Sequence, residues 1–415
     1  MPITLSTCQA LDREDPLRHL RERFEPARDG AIHLDANSLG PMPAGIADEI
    51  AQRMRDEWAG LRRRAWSQAD WLGSPQRIGA ALAPILGAEP DDLIAADNTT
   101  IDLYKLLTYA LSLADGETGK RVIVLEREGF PTDCHVAQGV ARASKGRWEL
   151  RTIDGEAELA QALRNDVAVV MLSHADYRSG WRWDMAAVNR QAHAVGARVL
   201  WDLSHTAGAL PVRLRETEAD FAVACGYKYL CGGPGAPALA YIHPALRDRG
   251  WPTIPGWLGH ADPMTFPCAY EPGPGMASLI NGTPPILQNL ILEAAARIWS
   301  EVPPQALAWK HRSLSETLVT LLEQECAEFG VRVASPPDYA QRGGHVTFTH
   351  EGGGALCEAL LEAGVVGSFR NPDVIRLGLS PLVLSHADLW EAVARLRRLL
   401  ANEGWRAERF RNFTL

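Results

Sequence analysis

The chain has 415 residues, a net formal charge of -9 at pH 7, 46% hydrophobic residues and 22% charged residues. This composition is typical of a globular protein with a sizeable core. The acidic balance leaves no general basic face for a nucleic-acid backbone. No stretch approaches the ~18 uninterrupted apolar residues of a membrane span. We therefore expect neither nucleic acid, because of the charge, nor a membrane, because of the missing span, as a partner.

The seven cysteines are scattered and contain no CxxC pair. This pattern favours reduced intracellular thiols over a disulfide framework or a zinc site. The first residues lack the basic and then apolar pattern of a secretory signal. We therefore expect a cytoplasmic protein without a structural metal.

Short apolar runs alternate with helical stretches between about 90 and 245. Candidate strands are 121–126, 167–173, 198–204, 220–226 and 237–242. Their nearly continuous aliphatic content predicts strands buried on both faces of a mostly parallel sheet. A helix over 184–195, with Asp184 as cap and Gly196 as terminator, fits the same doubly wound α/β pattern.

The segment 245–285 is rich in Gly, Pro and aromatic residues and has no periodicity, which is typical of a functional loop. Helices over 286–300, about 304–328 and 386–402 follow, mixed with short strands. We therefore predict a large α/β domain over 46–285. Residues 1–45 and 286–415 are predicted to form a smaller α+β domain.

Two residues near strand ends can carry chemistry. Asp202 closes a predicted strand, and ligands of open α/β sheets bind at such ends. Its carboxylate can pair with a cationic ring nitrogen, hold a metal or simply cap a turn, and His205 is equally ambiguous. Lys228 is one of only five lysines among 42 basic residues, and it lies between two tyrosines before "GGPGAP". A buried lysine becomes a usable nucleophile, whereas the alternative is a surface lysine along a strand end.

Two further motifs complete a recognisable set. Thr99 and Thr100 stand before an apolar helical pattern, where hydroxyls and free amides form an anion site or an ordinary helix cap. The turn "EGFPTDCH" offers Phe130 and Asp133. Lysine, aspartate, aromatic ring and helix start are together the parts of a pyridoxal phosphate site. The dinucleotide, zinc-protease and nucleophile-elbow motifs are missing from the sequence.

The chain resembles the kynureninase family, in the aminotransferase class V group of fold-type I pyridoxal phosphate enzymes. The resemblance extends from "HLDANSLGPMP" (33–43) to "FRNPDVIRLGLSPL" (369–382), and its most specific stretches are "GYKYLCGGPGAPALAYI" and "LWDLSHTAGALPV". It implies a fold-type I architecture, with a large domain around a mostly parallel sheet flanked by helices and a smaller α+β domain.

The resemblance also implies a pyridoxal 5'-phosphate site with Lys228 as the Schiff-base lysine. Asp202, with Asp133 nearby, would keep the pyridine nitrogen protonated, and Phe130 would stack on the ring. The implied cofactor-binding residues are Thr99, Thr100, Phe130, Asp133, Ser173, Asp202, His205, Tyr227, Lys228, Trp257 and Asn281.

The resemblance implies that Thr99, Thr100 and Tyr227 bind the phosphate group of the cofactor. In the family, residues matching Trp257 and Asn281 come from the neighbouring subunit. The resemblance therefore implies a homodimer with shared active sites.

Arg376 matches the arginine that clamps the substrate α-carboxylate, and Ser38 lies in a segment bordering the substrate. The implied reaction is hydrolysis of L-kynurenine, or its 3-hydroxy form, to anthranilate or 3-hydroxyanthranilate and L-alanine in tryptophan degradation. Lys228, Tyr227 and Asp202 are the implied catalytic residues. The acid–base group of the hydrolytic step stays open between Lys228 and Tyr227.

Two other functions are compatible with parts of the pattern. A cysteine desulfurase or β-lyase of the same group needs a loop cysteine, and Cys268 is the only cysteine in 245–285. A catalytically silent cofactor-binding protein would not need Lys228, Asp202 and Arg376 together. The sequence departs from the family pattern at Ala36, Cys231 and Val383, where glycine, asparagine and an aromatic residue are usual.

Overall fold

A computed structural model describes residues 2–27, 29–114, 116–117 and 119–410. Its strands, in chain order, are β1 Ile32–His33, β2 Leu93–Ala96, β3 Val122–Glu126, β4 Glu149–Ile153, β5 Val167–Ser173, β6 Arg198–Asp202, β7 Phe221–Ala224, β8 Ala238–Ile242, β9 Arg332–Val333, β10 His345–Thr349, β11 Val365–Val366, β12 Ser368–Arg370 and β13 Val374–Gly378. Its α-helices are α1 Leu5–Glu14, α2 Ile46–Arg53, α3 Ala65–Gln68, α4 Ser74–Leu86, α5 Thr99–Leu113, α6 Pro131–Ala143, α7 Glu156–Ala162, α8 Met185–Ala194, α9 Ile286–Trp299, α10 Pro304–Cys326, α11 Gly353–Glu362 and α12 His386–Ala401.

The larger sheet has seven strands in the order β2-β8-β7-β6-β5-β3-β4. Strand β8 runs antiparallel to β2 and β7, and the other neighbouring pairs are parallel. Strands β2, β5, β7 and β8 are buried along their whole length, as their aliphatic sequences predict. Two strands of this sheet, β2 and β4, are additions to the predicted set, and β6 and β7 end two residues earlier than predicted.

Helix boundaries follow local capping chemistry. The Asp184 side chain accepts a hydrogen bond at the start of α8, and Gly196 has the positive φ of +71° that ends the helical region. Ser385 forms a capping box at the start of α12. Asn98 caps α5, which makes Thr99 and Thr100 the first two helical residues. Both threonines therefore lie in the first helical turn, and the capping role belongs to Asn98.

A second sheet has the order β12-β13-β10-β9 and is antiparallel. It shares a core with α10, α11 and α12, and β1 pairs with β11 beside it. The N-terminal segment thus joins the C-terminal part of the chain. Helix α9 instead packs on α4, and its Leu292 and Trp299 belong to the core of the larger sheet. The division at 285/286 stays a prediction.

Three further facts concern the described residues. None of their helices is both long enough and apolar enough to cross a membrane. No group of three or more His, Cys, Asp or Glu side chains among them is placed to hold a metal ion. All seven cysteines are free thiols.

Candidate active site

Polar side chains that follow five strands of the larger sheet meet at the carboxyl-terminal ends of those strands. Ser173 ends β5 and lies directly opposite Asp202, which ends β6. Lys228 follows β7, Thr99 follows β2, and Asp133 lies in the first turn of α6 after β3. The carboxyl ends of neighbouring parallel strands form the usual ligand crevice of this architecture.

Lys228 is a buried lysine, with 7% of its surface exposed. Its Nζ lies 3.2 Å from Nε2 of His205 and 5.7 Å from the ring centre of Phe130. Burial, followed by the charge of Lys228, holds the pKa of His205 well below its usual value. The imidazole is therefore neutral, and its Nε2 accepts a hydrogen bond from Lys228 Nζ. Among the described residues, no carboxylate forms an ion pair with Lys228.

Two aspartates lie beside the lysine with different hydrogen bonds. Asp202 Oδ1 accepts from the Ser204 amide at 2.8 Å. Asp133 Oδ2 accepts from Ser173 Oγ at 2.7 Å, while Asp133 Oδ1 is buried without a partner. Burial raises the pKa of Asp133 well above its usual value, and the charge of Asp202 adds to the rise. Asp133 therefore holds its proton more tightly than an ordinary carboxyl group does.

The start of α5 lies next to the Lys228 loop through a thiol. Thr99 Oγ1 is 3.0 Å from Cys225 Sγ, and Ser204 Oγ donates to the same sulfur at 3.1 Å. Burial raises the pKa of Tyr227, and the neighbouring Cys225 contributes to the rise. Thr100 is exposed at the second position of the helix. Hydroxyls and free amides at a helix start are groups that can bind an anion.

Arg376 is a buried guanidinium with 1% of its surface exposed. It donates from Nη1 to the Tyr177 carbonyl at 2.7 Å, from Nη2 to Ser368 Oγ at 2.9 Å and from Nη2 to Ser38 Oγ at 3.4 Å. No carboxylate pairs with it in the part of the chain that the structure describes. Burial, followed by the charge of Arg370, lowers its pKa to about 10. A buried and unpaired guanidinium is ready to receive an anion.

The N-terminal segment 35–40 closes over the lysine loop. Gly40 donates its amide to the Tyr227 carbonyl at 2.9 Å, and a Cβ on Gly40 would lie 2.0 Å from the Lys228 carbonyl oxygen. Only glycine permits this approach. Asn37, with its amide oxygen oriented towards Arg376, accepts from Nη2 at 3.2 Å and from Nε at 3.3 Å.

Trp257 and Asn281 are placed differently from the other predicted site residues. In the described residues, no hydrogen bond or ring contact joins either of them to Lys228 or Thr99. Trp257 is 41% exposed and stacks on Phe266, with ring centres 5.8 Å apart. Asn281 Oδ1 is buried without a partner. Within one chain, these two residues do not complete the site.

Comparisons with known proteins identify the family. The family model described as the kynureninase C-terminal domain matches residues 307–396. A curated kynureninase from Deinococcus radiodurans is 40% identical over 403 residues, covering 96% of this chain and 97% of the relative. The chain belongs to the kynureninase family. A kynureninase from Burkholderia mallei is likewise 40% identical, over 404 residues that cover 97% of this chain and 96% of the relative.

Solved structures confirm the predicted fold class of this kynureninase family member. The apo structure of a cysteine desulfurase from Thermococcus onnurineus NA1 superposes with a TM-score of 0.75 over 92% of this chain and 98% of that chain. The two sequences are 17% identical, so this likeness concerns the fold alone. The architecture is that of the fold-type I pyridoxal phosphate enzymes.

The residues at the carboxyl-terminal ends of the strands fit pyridoxal phosphate. A buried amine at Lys228, a carboxylate at Asp202 and an aromatic face at Phe130 lie within one crevice, and the start of α5 lies beside them. Asp133 Oδ1 has no partner in spite of full burial, so the crevice retains hydrogen-bonding capacity that the chain itself does not satisfy. These side chains are of the kinds that bind a phosphorylated pyridine aldehyde such as pyridoxal phosphate.

Sequence reasoning missed two buried residues of this crevice. Cys225 lies inside the apolar run that was predicted as strand 220–226, but β7 ends at Ala224. Its position just beyond a strand end is the signal that points to a site residue. His345 is fully buried, its two ring nitrogens lack partners, and its ring centre is 5.4 Å from that of His205. It opens β10 without a local sequence signal.

Proposed function

We propose that this chain is a kynureninase, which hydrolyses the Cβ–Cγ bond of L-kynurenine or 3-hydroxykynurenine to release anthranilate or 3-hydroxyanthranilate and L-alanine. The observation that carries the proposal is the convergence of a buried lysine, Lys228, and a strand-end carboxylate, Asp202, in a chain that also buries an unpaired guanidinium, Arg376. The 40% identity to curated kynureninases over nearly the whole chain supports the same reading.

Lys228, Asp202 and Phe130 would hold the cofactor, with Thr99 and Tyr227 towards its phosphate. Pyridoxal phosphate supplies an aldehyde that binds amines covalently and a protonated ring that accepts electron pairs. Asp202 keeps the proton on the ring nitrogen, because a carboxylate favours a cationic partner. The Lys228 amine accepts and returns the proton at the substrate α carbon. A positioned base of this kind typically contributes about 10²–10⁴-fold.

Arg376 would bind the α-carboxylate of the substrate. Its planar fork matches a carboxylate with two parallel hydrogen bonds. Ser368 and the Tyr177 carbonyl hold the fork in place before substrate arrives. Asn37 and Ser38 bring the N-terminal segment against the same guanidinium.

Tyr227 is the better proton donor for the hydrolytic step. Because burial raises its pKa, the phenol keeps its proton at neutral pH. A protonated phenol can deliver a proton to the departing Cβ, whereas it is a poor base for activating water. The raised pKa of the phenol therefore favours Tyr227 as the acid and leaves the base role to Lys228.

The proposal is tested by turnover of purified protein loaded with pyridoxal phosphate. We expect anthranilate fluorescence to rise with L-kynurenine and equimolar L-alanine to form. Lys228→Arg should abolish this signal, since a guanidinium does not form the covalent link. Lys145→Arg is the matched control, because Lys145 is exposed and outside the crevice. An unchanged rate in Lys228→Arg would refute the assignment, and sulfide release from L-cysteine would favour the cysteine desulfurase alternative.

We also propose a cytoplasmic homodimer with shared sites. Trp257, Phe266 and Met264 are exposed by 41%, 70% and 55%, and clustered apolar exposure of this kind marks protein interfaces. Seven free cysteines suit a reducing compartment. Sedimentation should give about twice the chain mass of 45.4 kDa, and Trp257→Ala should shift the equilibrium towards the monomer. A monomeric wild-type protein with full activity would contradict the shared site.

A further inference from the structure

Cys225 connects three strand ends of the crevice through its sulfur. The residue is buried and stands immediately after β7. Its Sγ lies 3.0 Å from Thr99 Oγ1, beyond β2, and accepts from Ser204 Oγ at 3.1 Å, beyond β6. The Ser204 amide in turn donates to Asp202 Oδ1 at 2.8 Å. A continuous chain of contacts thus leads from the Asp202 carboxylate to the start of α5.

The directions of these hydrogen bonds matter for a phosphate. A phosphate ester at neutral pH is essentially an acceptor, so each hydroxyl that binds it must point its single hydrogen outwards. The oxygen of such a hydroxyl then needs a donor behind it. Ser204 already gives its hydrogen to the Cys225 sulfur, so the thiol hydrogen is free to be donated to Thr99 Oγ1. The Thr99 hydrogen is then directed towards the helix start, where the anion site lies.

We propose that Cys225 is a positioning residue for the phosphate group of the cofactor. Its thiol acts behind the site: it accepts from Ser204, donates to Thr99 and lies against the Tyr227 side chain. It orders the Thr99 hydroxyl, which would contact the phosphate, without contacting the phosphate itself. This inference rests on the proposed pyridoxal phosphate site, and it deepens that proposal by separating the phosphate end from the ring end.

The experiment compares cofactor and dephosphorylated cofactor on the apoenzyme. Dissociation constants for pyridoxal phosphate and for pyridoxal are measured by absorbance titration on wild type, Cys225→Ala and Cys225→Ser. Cys326→Ala is the matched control, because Cys326 is a fully buried thiol in the core of the second sheet. Thermal unfolding of each apoprotein checks that the variant is folded as stably as wild type.

We expect Cys225→Ala to weaken pyridoxal phosphate binding about tenfold, which corresponds to about 1.4 kcal/mol, and to change pyridoxal binding less than twofold. Cys225→Ser should restore phosphate affinity to within about threefold, because a hydroxyl donates and accepts in the same directions. Equal affinities of Cys225→Ala and wild type for pyridoxal phosphate would overturn the inference, as would equal losses for both ligands. Failure of wild type to bind pyridoxal phosphate would instead overturn the proposed function.

Discussion

Replacement of Arg376 by glutamine separates catalysis from stability. The shift of its pKa from 12.5 to about 10 corresponds to a cost of about 3 kcal/mol for keeping the charge in the unliganded protein. Arg376→Gln removes that cost, but it leaves the Tyr177 carbonyl and Ser368 Oγ short of donors, at about 1–3 kcal/mol each. These contributions oppose each other, so we expect the free energy of unfolding to change by no more than about 3 kcal/mol.

The effect on turnover should be much larger. Two charge-assisted hydrogen bonds to the substrate carboxylate contribute about 1.5–3 kcal/mol each, so kcat/KM should fall roughly 10²–10⁴-fold. The assay compares L-kynurenine with its α-carboxamide, which has no anionic group. Wild type should strongly prefer the acid, whereas Arg376→Gln should lose most of this preference. Arg312→Gln is the control, because Arg312 is exposed and forms an ion pair with Glu316 at 2.9 Å.

Two results would refute this reasoning. The first is an Arg376→Gln enzyme that still prefers the acid as strongly as wild type does. The second is a loss of folding free energy as large as the loss of catalysis, since that would make Arg376 a structural residue.

Three further predictions concern stability. Burial raises the pKa of Asp102 to about 8, so the stability from its bound proton is complete below pH ~4 and is lost as the pH rises through 8. The free energy of unfolding of Asp102→Asn, measured in urea, should therefore increase relative to that of wild type between pH 5 and 8, by up to about 4 kcal/mol. A difference that does not change with pH would contradict this. Gly40→Ala should destabilise by about 1–3 kcal/mol and lower turnover, because its Cβ meets the Lys228 carbonyl, whereas Gly139→Ala on open helix surface should be neutral or stabilising in thermal melts. Equal melting temperatures of the two alanine variants would count against the contact. Cys231 has a φ of +62°, a region that favours asparagine, so Cys231→Asn should raise the unfolding free energy by about 0.5–1 kcal/mol in urea, and a lower value would contradict the strain argument.

Local chemistry made much of the fold predictable. Strand β5 has the bounds predicted from its seven apolar and small residues, and the caps at Asp184 and Ser385 start helices where the sequence places them. Strand β4 is an edge strand and is only partly buried, so it lacks the apolar signal of the buried strands. Strand β2 has only four residues, too few for a pattern.

The site was predictable in its residues more than in its contacts. Lys228 and Asp202 follow from strand ends, because the sheet order brings those ends together. Arg376 bonds to the Tyr177 carbonyl and Cys225 contacts Thr99, and each of these partners lies more than 100 residues away in sequence. No local pattern encodes such contacts. The positions of Trp257 and Asn281 relative to the other site residues depend on a second subunit and stay a prediction.

The most direct test of the account locates the covalent attachment point of the cofactor. The holoenzyme is reduced with borohydride, digested and analysed by peptide mass spectrometry. We predict that the phosphopyridoxyl group is found on Lys228 in the peptide that contains "GYKYL". Attachment at Lys145 or another lysine, or unmodified Lys228 in an active preparation, would contradict the central claim.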